Sequence, residues 1–384
     1  MTYKILQGNC IDQLKTIDSG SIQTCVTSPP YRGLRDYGVS GQLGLEPTPE
    51  EYVANMVEVF REVKRVLRDD GTVWLNLGDS YYGGGWKGSQ TDLTDTKQGT
   101  NAGTLCGKDM KKDPPHKIIK PKDLVGIPWS VAFALRADGW YLRQDIVWHK
   151  PNPMPESVTD RCTKAHEYIF LLSKSSKYYY DAEAVKEPTI TRDDLSRDRD
   201  TTKLNNTPGR AKMAGLKIND YGTRNKRSVW TVSTQPYKEA HFATFPPKLI
   251  EPCVLAGSSY KACEVCGGAW ERVMEKGELS NQRESRNHMV NVIPGHDKPS
   301  RMNSKNMEVV PKEFTGWQPT CKCENNGTGK SIVLDPFVGS GTTLMVAEDN
   351  GRDSIGIELN PEYCELIKQR MNQLQPRLFF EGVQ

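Results

Sequence analysis

The chain has 384 residues, 36% of them hydrophobic and 26% charged, with a formal net charge of +3. That is enough chain to bury a sizeable core around polar insertions, and it excludes a disordered or low-complexity protein. It has no run of about 18 apolar residues, and its first residues, MTYKILQGNC, lack a charged-then-apolar leader, so we expect a cytoplasmic protein with no membrane partner.

Residues 1–182 alternate between strand-like and helix-like segments. Residues 22–27 (IQTCVT) read as a short apolar strand that runs into Ser28-Pro29-Pro30-Tyr31. Residues 50–67 place Val53, Met56, Val57, Phe60, Val63, Val66 and Leu67 at helical spacing; Asp69-Asp70-Gly71 is expected to end that helix before a strand at 72–77. A helix is expected at 127–137, with Pro128 tolerated in its first turn, and strands at 140–148 and 168–172. A helix follows at 247–256. Near the C-terminus come a strand at 331–334, a Gly-rich turn at 335–343, a helix at 344–350, a strand at 353–357 and a helix at 361–374. This alternation predicts an α/β fold built on a doubly wound sheet.

Two stretches break the pattern. Residues 83–122 hold eight lysines against four aspartates, and residues 186–227 hold eleven Lys/Arg against six Asp/Glu. Such runs are ordinarily solvated surface. A third irregular stretch, 258–330, is bracketed by cysteines. Within it Gly327-Thr328-Gly329-Lys330-Ser331 imitates the end of a phosphate-binding loop, but Glu324 stands where its first glycine is needed and a strand follows, so an NTPase is excluded.

Two short segments carry chemistry. Asp335-Pro336-Phe337-Val338-Gly339-Ser340-Gly341-Thr342-Thr343 follows a strand and opens a helix. Gly339 and Gly341 let backbone approach a ligand, and the helix start supplies unpaired N–H groups. Glu358 then ends the next strand, where a carboxylate can accept both hydroxyls of a ribose. The third glycine of a dinucleotide fingerprint is replaced by Leu344, so the segment suits a different nucleotide cofactor. Ser28-Pro29-Pro30-Tyr31 ends its own strand with two prolines, which remove N–H donors. The Ser28 hydroxyl and the Pro29 carbonyl are left as acceptors beside an aromatic ring. An exocyclic base amine is a poor nucleophile because its lone pair is conjugated with the ring. Acceptors that hold its hydrogens can turn that lone pair toward an electrophile.

Together these segments resemble the N4-cytosine/N6-adenine DNA amino-methyltransferase family. Ser28, Pro29, Pro30 and Tyr31 match its catalytic segment, Asp335 to Thr343 its S-adenosylmethionine loop, and Glu358 its ribose-binding acid. The catalytic segment comes first, as in the permuted β-type arrangement. Gly8-Asn9-Cys10, the run from Trp148 to Pro155, the run from Lys164 to Tyr168 and the run from His241 to Pro247 fit the same order. The resemblance implies a circularly permuted, doubly wound mixed sheet of the S-adenosylmethionine-dependent type. It implies cofactor contacts from Asn9, His241, Phe245, Asp335, Phe337, Gly339, Gly341, Thr342 and Glu358, with Tyr31 stacked on a base flipped from duplex DNA. Asn9 stands where the family often has Asp. It further implies a partner in double-stranded DNA and a possible homodimer. Ser rather than Asp at position 28 favours cytosine N4 over adenine N6. An RNA or free-base methylase would not need the basic insertion. An inactive DNA-binding module would not need intact catalytic and cofactor segments.

On this reading the catalytic half is 1–182, a target-recognition insertion is 183–227, the cofactor half is 228–257 with 330–384, and 258–329 is a further insertion. Arg210, Lys212, Arg224, Lys226 and Arg227 become candidate DNA contacts. Of ten cysteines, six stand singly. Cys263, Cys266, Cys321 and Cys323 cluster as two pairs suited to a structural zinc ion, with His288 and His296 as weaker ligand candidates.

Overall fold

A computed structural model describes residues 3–33, 38–83, 114–188, 223–235, 245–276 and 312–373. The expected sites at Arg210, Lys212, His241, His288 and His296 lie outside the described residues. In chain order the elements are β1 (Tyr3–Gln7), α1 (Cys10–Lys15), β2 (Ile22–Thr27), α2 (Pro49–Val66), β3 (Leu67–Leu77), α3 (Ile127–Ala137), β4 (Tyr141–His149), β5 (His166–Ser173), β6 (Glu187–Pro188), β7 (Thr223–Arg224), β8 (Val229–Thr231), α4 (Pro247–Gly257), β9 (Trp270–Lys276), β10 (Lys312–Pro319), β11 (Ile332–Asp335), α5 (Thr342–Asp349), β12 (Asp353–Glu358) and α6 (Pro361–Asn372).

The chain divides into two compact units. The larger comprises Met1–Val185, Lys226–Glu271 and Pro319–Gln384; the smaller comprises Lys186–Asn225 and Arg272–Gln318. Both insertions thus contribute to one smaller unit, while all four clustered cysteines belong to the larger. In the smaller unit β6 and β7 pair antiparallel, and Arg224 Nε donates to Glu187 Oε1 at 2.8 Å. There the Arg272 guanidinium lies 5.3 Å from the Phe314 ring and 4.7 Å from that of Trp317.

The larger unit is built on an eight-stranded sheet in the order β1-β12-β11-β2-β3-β5-β4-β8. Strands β1, β12, β11, β2 and β3 run parallel, β5 runs against both β3 and β4, and β8 pairs parallel with β4. Helices cover both faces, which is why β2 is buried at every position. Alternate residues feed opposite cores. Cys25, Val73, Leu75, Phe170, Leu172 and Leu334 pack with α1, α2 and α3. Their neighbours Val26, Trp74, Ile169, Leu171 and Val333 pack with α4 and α5.

Two expectations shift. The buried stripe of α2 is Tyr52, Met56, Val59, Phe60, Val63 and Val66, whereas Val53 and Val57 are only partly buried. The helix starts with Thr48 capping Glu51 N–H and Pro49 in the first turn, and the stripe follows from where that start points it. The strand also begins at Leu67 rather than at 72. Asp69-Asp70-Gly71 makes an irregularity between the Ile22–Leu67 and Thr24–Thr72 pairs, not a gap before the strand. Parallel pairing along β2 therefore overrides the local turn signal.

Candidate active site

The carboxyl ends of β2, β3, β11 and β12 and the turn joining β4 to β5 surround one cavity of about 1160 Å³. Ligands in open α/β sheets bind at this edge, where parallel strands hand the chain to loops. Its two walls are made differently.

One wall is the turn between β11 and α5, with the end of β12. Gly339 has φ +53 and Gly341 φ +80, a region where L side chains are strained. The Gly339 N–H donates to Glu358 Oε2 at 3.0 Å, and the Asn360 N–H to Glu358 Oε1 at 2.8 Å. Burial pushes the Glu358 carboxyl up to about 7 despite these donors. Phe337, Gly339, Thr342, Glu358, Asn9 and Phe245 all line the cavity. Asn9 also caps α1, its Oδ1 accepting from Ile11 N–H at 2.9 Å.

Asp335 and Gly341, expected to touch the cofactor, are not among the lining residues. Asp335 is buried behind the wall, where Oδ1 accepts from Thr27 Oγ1 and Oδ2 from Thr343 Oγ1, each at 2.6 Å. It ties the end of β2 to α5, and burial raises its carboxyl to about 6. Gly341 lets α6 come close: a Cβ there would meet Ile367 Cγ2 at 2.9 Å.

The other wall starts from the turn at 28–31. Tyr52 Oη donates to the Pro30 carbonyl at 2.9 Å, so buried α2 holds the turn from beneath. Ser28 Oγ donates to Tyr31 Oη at 3.3 Å, and Tyr31 Oη donates to Glu167 Oε2 at 2.8 Å. Asn76 Nδ2 reaches the same carboxylate oxygen at 3.3 Å. Lys150 Nζ makes an ion pair with the other oxygen, Glu167 Oε1. Gly78 leaves room for the tyrosine: a Cβ there would sit 2.6 Å from Tyr31 Cε2. Burial, and then the Glu167 charge, push the Tyr31 phenol well above its ordinary range. Burial lowers Lys164, whose Nζ donates to the Asp79 carbonyl at 2.8 Å.

This wall also holds Asn76 and Gly78, which lie outside every motif, and Lys150, Lys164, His166 and Glu167, which lie in runs that fit the family's order but carry no assigned role there. The available signal was the pair of polar runs at 148–155 and 164–168, which antiparallel pairing of His149 with His166 brings to one end of the sheet. Among the basic candidates, Arg224 is ion-paired with Glu187, Lys226 packs 4.9 Å from the Trp230 ring, and Arg227 is exposed.

A second constellation sits at the other end of the same strands. The sulfurs of Cys263, Cys266, Cys321 and Cys323 all lie within 4.8 Å of one another. Four thiolates at about 2.3 Å from one ion would fit that spacing. The Val265 and Cys266 amides point at Cys263 Sγ, each at 3.4 Å. Burial works against the Cys263 thiolate, but the amides of Cys266 and Val265 and neighbouring thiols outweigh it and bring the thiol down to about 7. Gln23 Nε2 holds the Gly267 carbonyl at 2.8 Å, and Arg68 Nη1 the Cys266 carbonyl at 2.6 Å. No helix among the described residues is long and apolar enough to cross a membrane.

The profile of a family described as DNA methylase matches residues 22–262 and 321–369. Type II methyltransferase M.SmaI of Serratia marcescens is 38% identical over 371 residues, covering 96% of this chain and 90% of the relative. Type II methyltransferase M.XycI of Xanthomonas campestris pv. cyanopsidis is 38% identical over 367 residues, covering 96% and 87%. Among solved structures, the cytosine-N4-specific PvuII DNA methyltransferase aligns with a TM-score of 0.53 at 16% identity, covering 99% of this chain and 89% of that one. That likeness speaks to the fold; the sequence matches speak to the family. The chain belongs to the N4-cytosine/N6-adenine DNA methyltransferase family and is a DNA methyltransferase.

Proposed function

We propose that this enzyme transfers a methyl group from S-adenosylmethionine to the exocyclic N4 of a cytosine flipped out of a specific site in duplex DNA. The carrying observation is that Ser28, Pro29 and Tyr31 share one cavity with Gly339, Thr342 and Glu358. The glycine turn and Glu358 offer a fitting cradle for a nucleoside, with space above Gly339, where a Cβ would meet only the Phe337 carbonyl at 3.9 Å. When bound there, S-adenosylmethionine supplies an electrophilic methyl group. Glu358 would hold its ribose, with Phe337 and Phe245 against its apolar parts. Ser28 Oγ and the Pro29 carbonyl would accept the hydrogens of the target amine and aim its lone pair. Catalysis on this reading is positioning and hydrogen bonding.

Serine at the head of the 28–31 turn supports cytosine over adenine, since its hydroxyl both donates and accepts, whereas an ionised aspartate only accepts. A permuted order and a target-recognition insertion at 183–227 follow from the same resemblance. So does a homodimer. The reading also includes one structural zinc ion on Cys263, Cys266, Cys321 and Cys323. Their four sulfurs form a donor set suited to that ion. Methylation mapping of DNA from expressing cells, followed by hydrolysis and mass spectrometry, tests the base and the site together. N4-methylcytosine at one short sequence is expected. N6-methyladenine alone would overturn the base while leaving the reaction type, and methylated RNA without methylated DNA would overturn the substrate.

A further inference from the structure

Methylation of a neutral amine forms an N–CH₃ bond while the donor's S–CH₃ bond breaks and its electron pair stays on sulfur. The amine nitrogen is then left with one proton too many. Ser28 can take that proton only by passing on its own, because a protonated alcohol is a very strong acid. The wall described above gives it somewhere to go. Ser28 Oγ donates to Tyr31 Oη at 3.3 Å, and Tyr31 Oη donates to Glu167 Oε2 at 2.8 Å.

We propose that Glu167 is the terminal acceptor of the proton released from the target amine, reached through the hydroxyls of Ser28 and Tyr31. The inference rests on the assignment of Ser28 to the target amine. Each hydroxyl gives one proton and receives one, so both end as they began. The carboxylate becomes a carboxylic acid, and the positive charge of the methyl donor is cancelled by the lost negative charge of Glu167. Exchange with water in the cavity returns the proton to solvent. Glu167 touches no substrate on this account and acts through Tyr31.

The surroundings suit the task. Burial and the Glu167 carboxylate keep the Tyr31 phenol protonated, as a relay member must be between turnovers. Asn76 lies against both partners, its Oδ1 3.2 Å from Tyr31 Oη and its Nδ2 donating to Glu167 Oε2 at 3.3 Å. The titratable groups that interact with Glu167 are Lys150, just after β4, Lys164, just before β5, and His166 at the start of β5; Asp79 and Glu156 act on Lys164 in turn. Lys150 binds the oxygen that Tyr31 does not use, so the receiving oxygen stays available to the phenol. Tyr31 and Glu167 are 136 residues apart, and only the sheet brings them together.

The test is single-turnover methylation of a duplex carrying the mapped site, followed across pH for the wild type, Glu167→Gln, Glu167→Asp, Tyr31→Phe, the double variant Tyr31→Phe/Glu167→Gln, and Ser28→Ala. Glu167→Gln and Tyr31→Phe should each slow the step about a hundredfold, and the double variant should be no slower than either, because one wire is cut once. Any acid limb in the wild-type rate profile should vanish in Glu167→Gln and return in Glu167→Asp. Carbon NMR of labelled tyrosine in the free protein gives a readout independent of turnover: Tyr31 should ionise at lower pH once Glu167 is neutral. Tyr31→Phe keeps the Lys150 ion pair, so it tests the wire even where Glu167→Gln folds poorly. A Glu167→Gln rate near wild type with its acid limb intact overturns the relay, as do losses that multiply in the double variant. If Ser28→Ala keeps the wild-type rate, the assignment of Ser28 falls first, and the relay with it. A collapse in Ser28→Ala with an unaffected Glu167→Gln removes only the relay.

Discussion

The two walls of the cavity solve different problems with different materials. The wall from β11 to β12 is largely backbone: a glycine turn with positive φ at Gly339 and Gly341, two amides on Glu358, and a buried Asp335 that fastens the turn to β2. The wall from β2 to β5 is side chains: Ser28, Tyr31, Asn76, Lys150 and Glu167 in one hydrogen-bonded set drawn from four strand ends. A backbone wall is fixed once its turn forms, which suits a ligand held the same way in every turnover. A side-chain wall can exchange protons and admit a bulky guest, which suits a base that must enter and leave. If that contrast is right, each wall should be damaged without the other.

The largest effect is expected at Gly78. An added Cβ would stand 2.6 Å from Tyr31 Cε2 and 3.1 Å from its Cδ2, so Gly78→Ala must push the ring off its place. Misplacement of about 1 Å in a positioning group lowers turnover by roughly a hundredfold. Affinity for S-adenosylmethionine, measured by calorimetry on the folded variant, should stay within about twofold of wild type, since its wall is untouched. Equal losses in turnover and cofactor affinity would show that the walls are one unit.

A smaller effect belongs to the backbone wall. Burial raises Glu358 to about 7, so near neutral pH the free protein holds this group partly protonated. Ribose hydroxyls bond best to the ionised form, and binding therefore releases a proton. Cofactor affinity should rise with pH and level off above about 7, gaining roughly tenfold between pH 6 and 8. Glu358→Gln should bind at the weak, acid-side level at every pH. The sign for folding is the reverse. A carboxyl whose folded value lies above its unfolded one favours the folded state fully below its unfolded value, and that contribution is lost as pH rises through about 7 for Glu358 and about 6 for Asp335. Calorimetry in buffers of different ionisation enthalpy counts the proton. A flat affinity profile in the wild type would remove Glu358 from the ribose.

The same contrast explains what was legible in the sequence. A backbone wall is written in contiguous residues, because a turn needs its glycines at fixed spacing and its acid one strand later. Gly339, Thr342 and Glu358 were named from the chain in this way, and all three line the cavity. Asp335 and Gly341 were named with them but face inward, since spacing does not say which side of a turn meets the cavity. The side-chain wall was half legible. Ser28 and Tyr31 lie in one short run, but their partners come from β3, β4 and β5, whose ends meet only through strand pairing. The elements followed their apolar periodicity well: β2 and α3 have the bounds expected. Short edge strands such as β1 and β8 carry too little pattern to register, and the 69–71 turn signal yielded to pairing with β2.

The smallest effect on the cavity is expected from the cysteine cluster. Its contacts fall at the starts of β2 and β3, where Gln23 and Arg68 hold the carbonyls of Gly267 and Cys266, and Gln23 Oε1 also accepts the Ile332 N–H at the start of β11. Four residues of β2 separate Gln23 from the 28–31 turn, about 17 Å of extended chain. A zinc ion there would fasten two adjoining strands at the end remote from the chemistry, and its loss should be felt in stability first. Elemental analysis should find one zinc per chain. Chelation should lower the thermal midpoint by roughly 5 °C or more. Over the same titration, cofactor affinity and turnover on the remaining folded enzyme should change less than about threefold, because the walls are fixed by Asp335, Tyr52 and Glu167 at the other end. The absence of stoichiometric zinc, with four thiols that react freely in the folded protein, would remove the metal. A loss of turnover that tracks zinc release at constant fold would instead place the cluster inside the catalytic unit and erase the distinction between the two ends of the sheet.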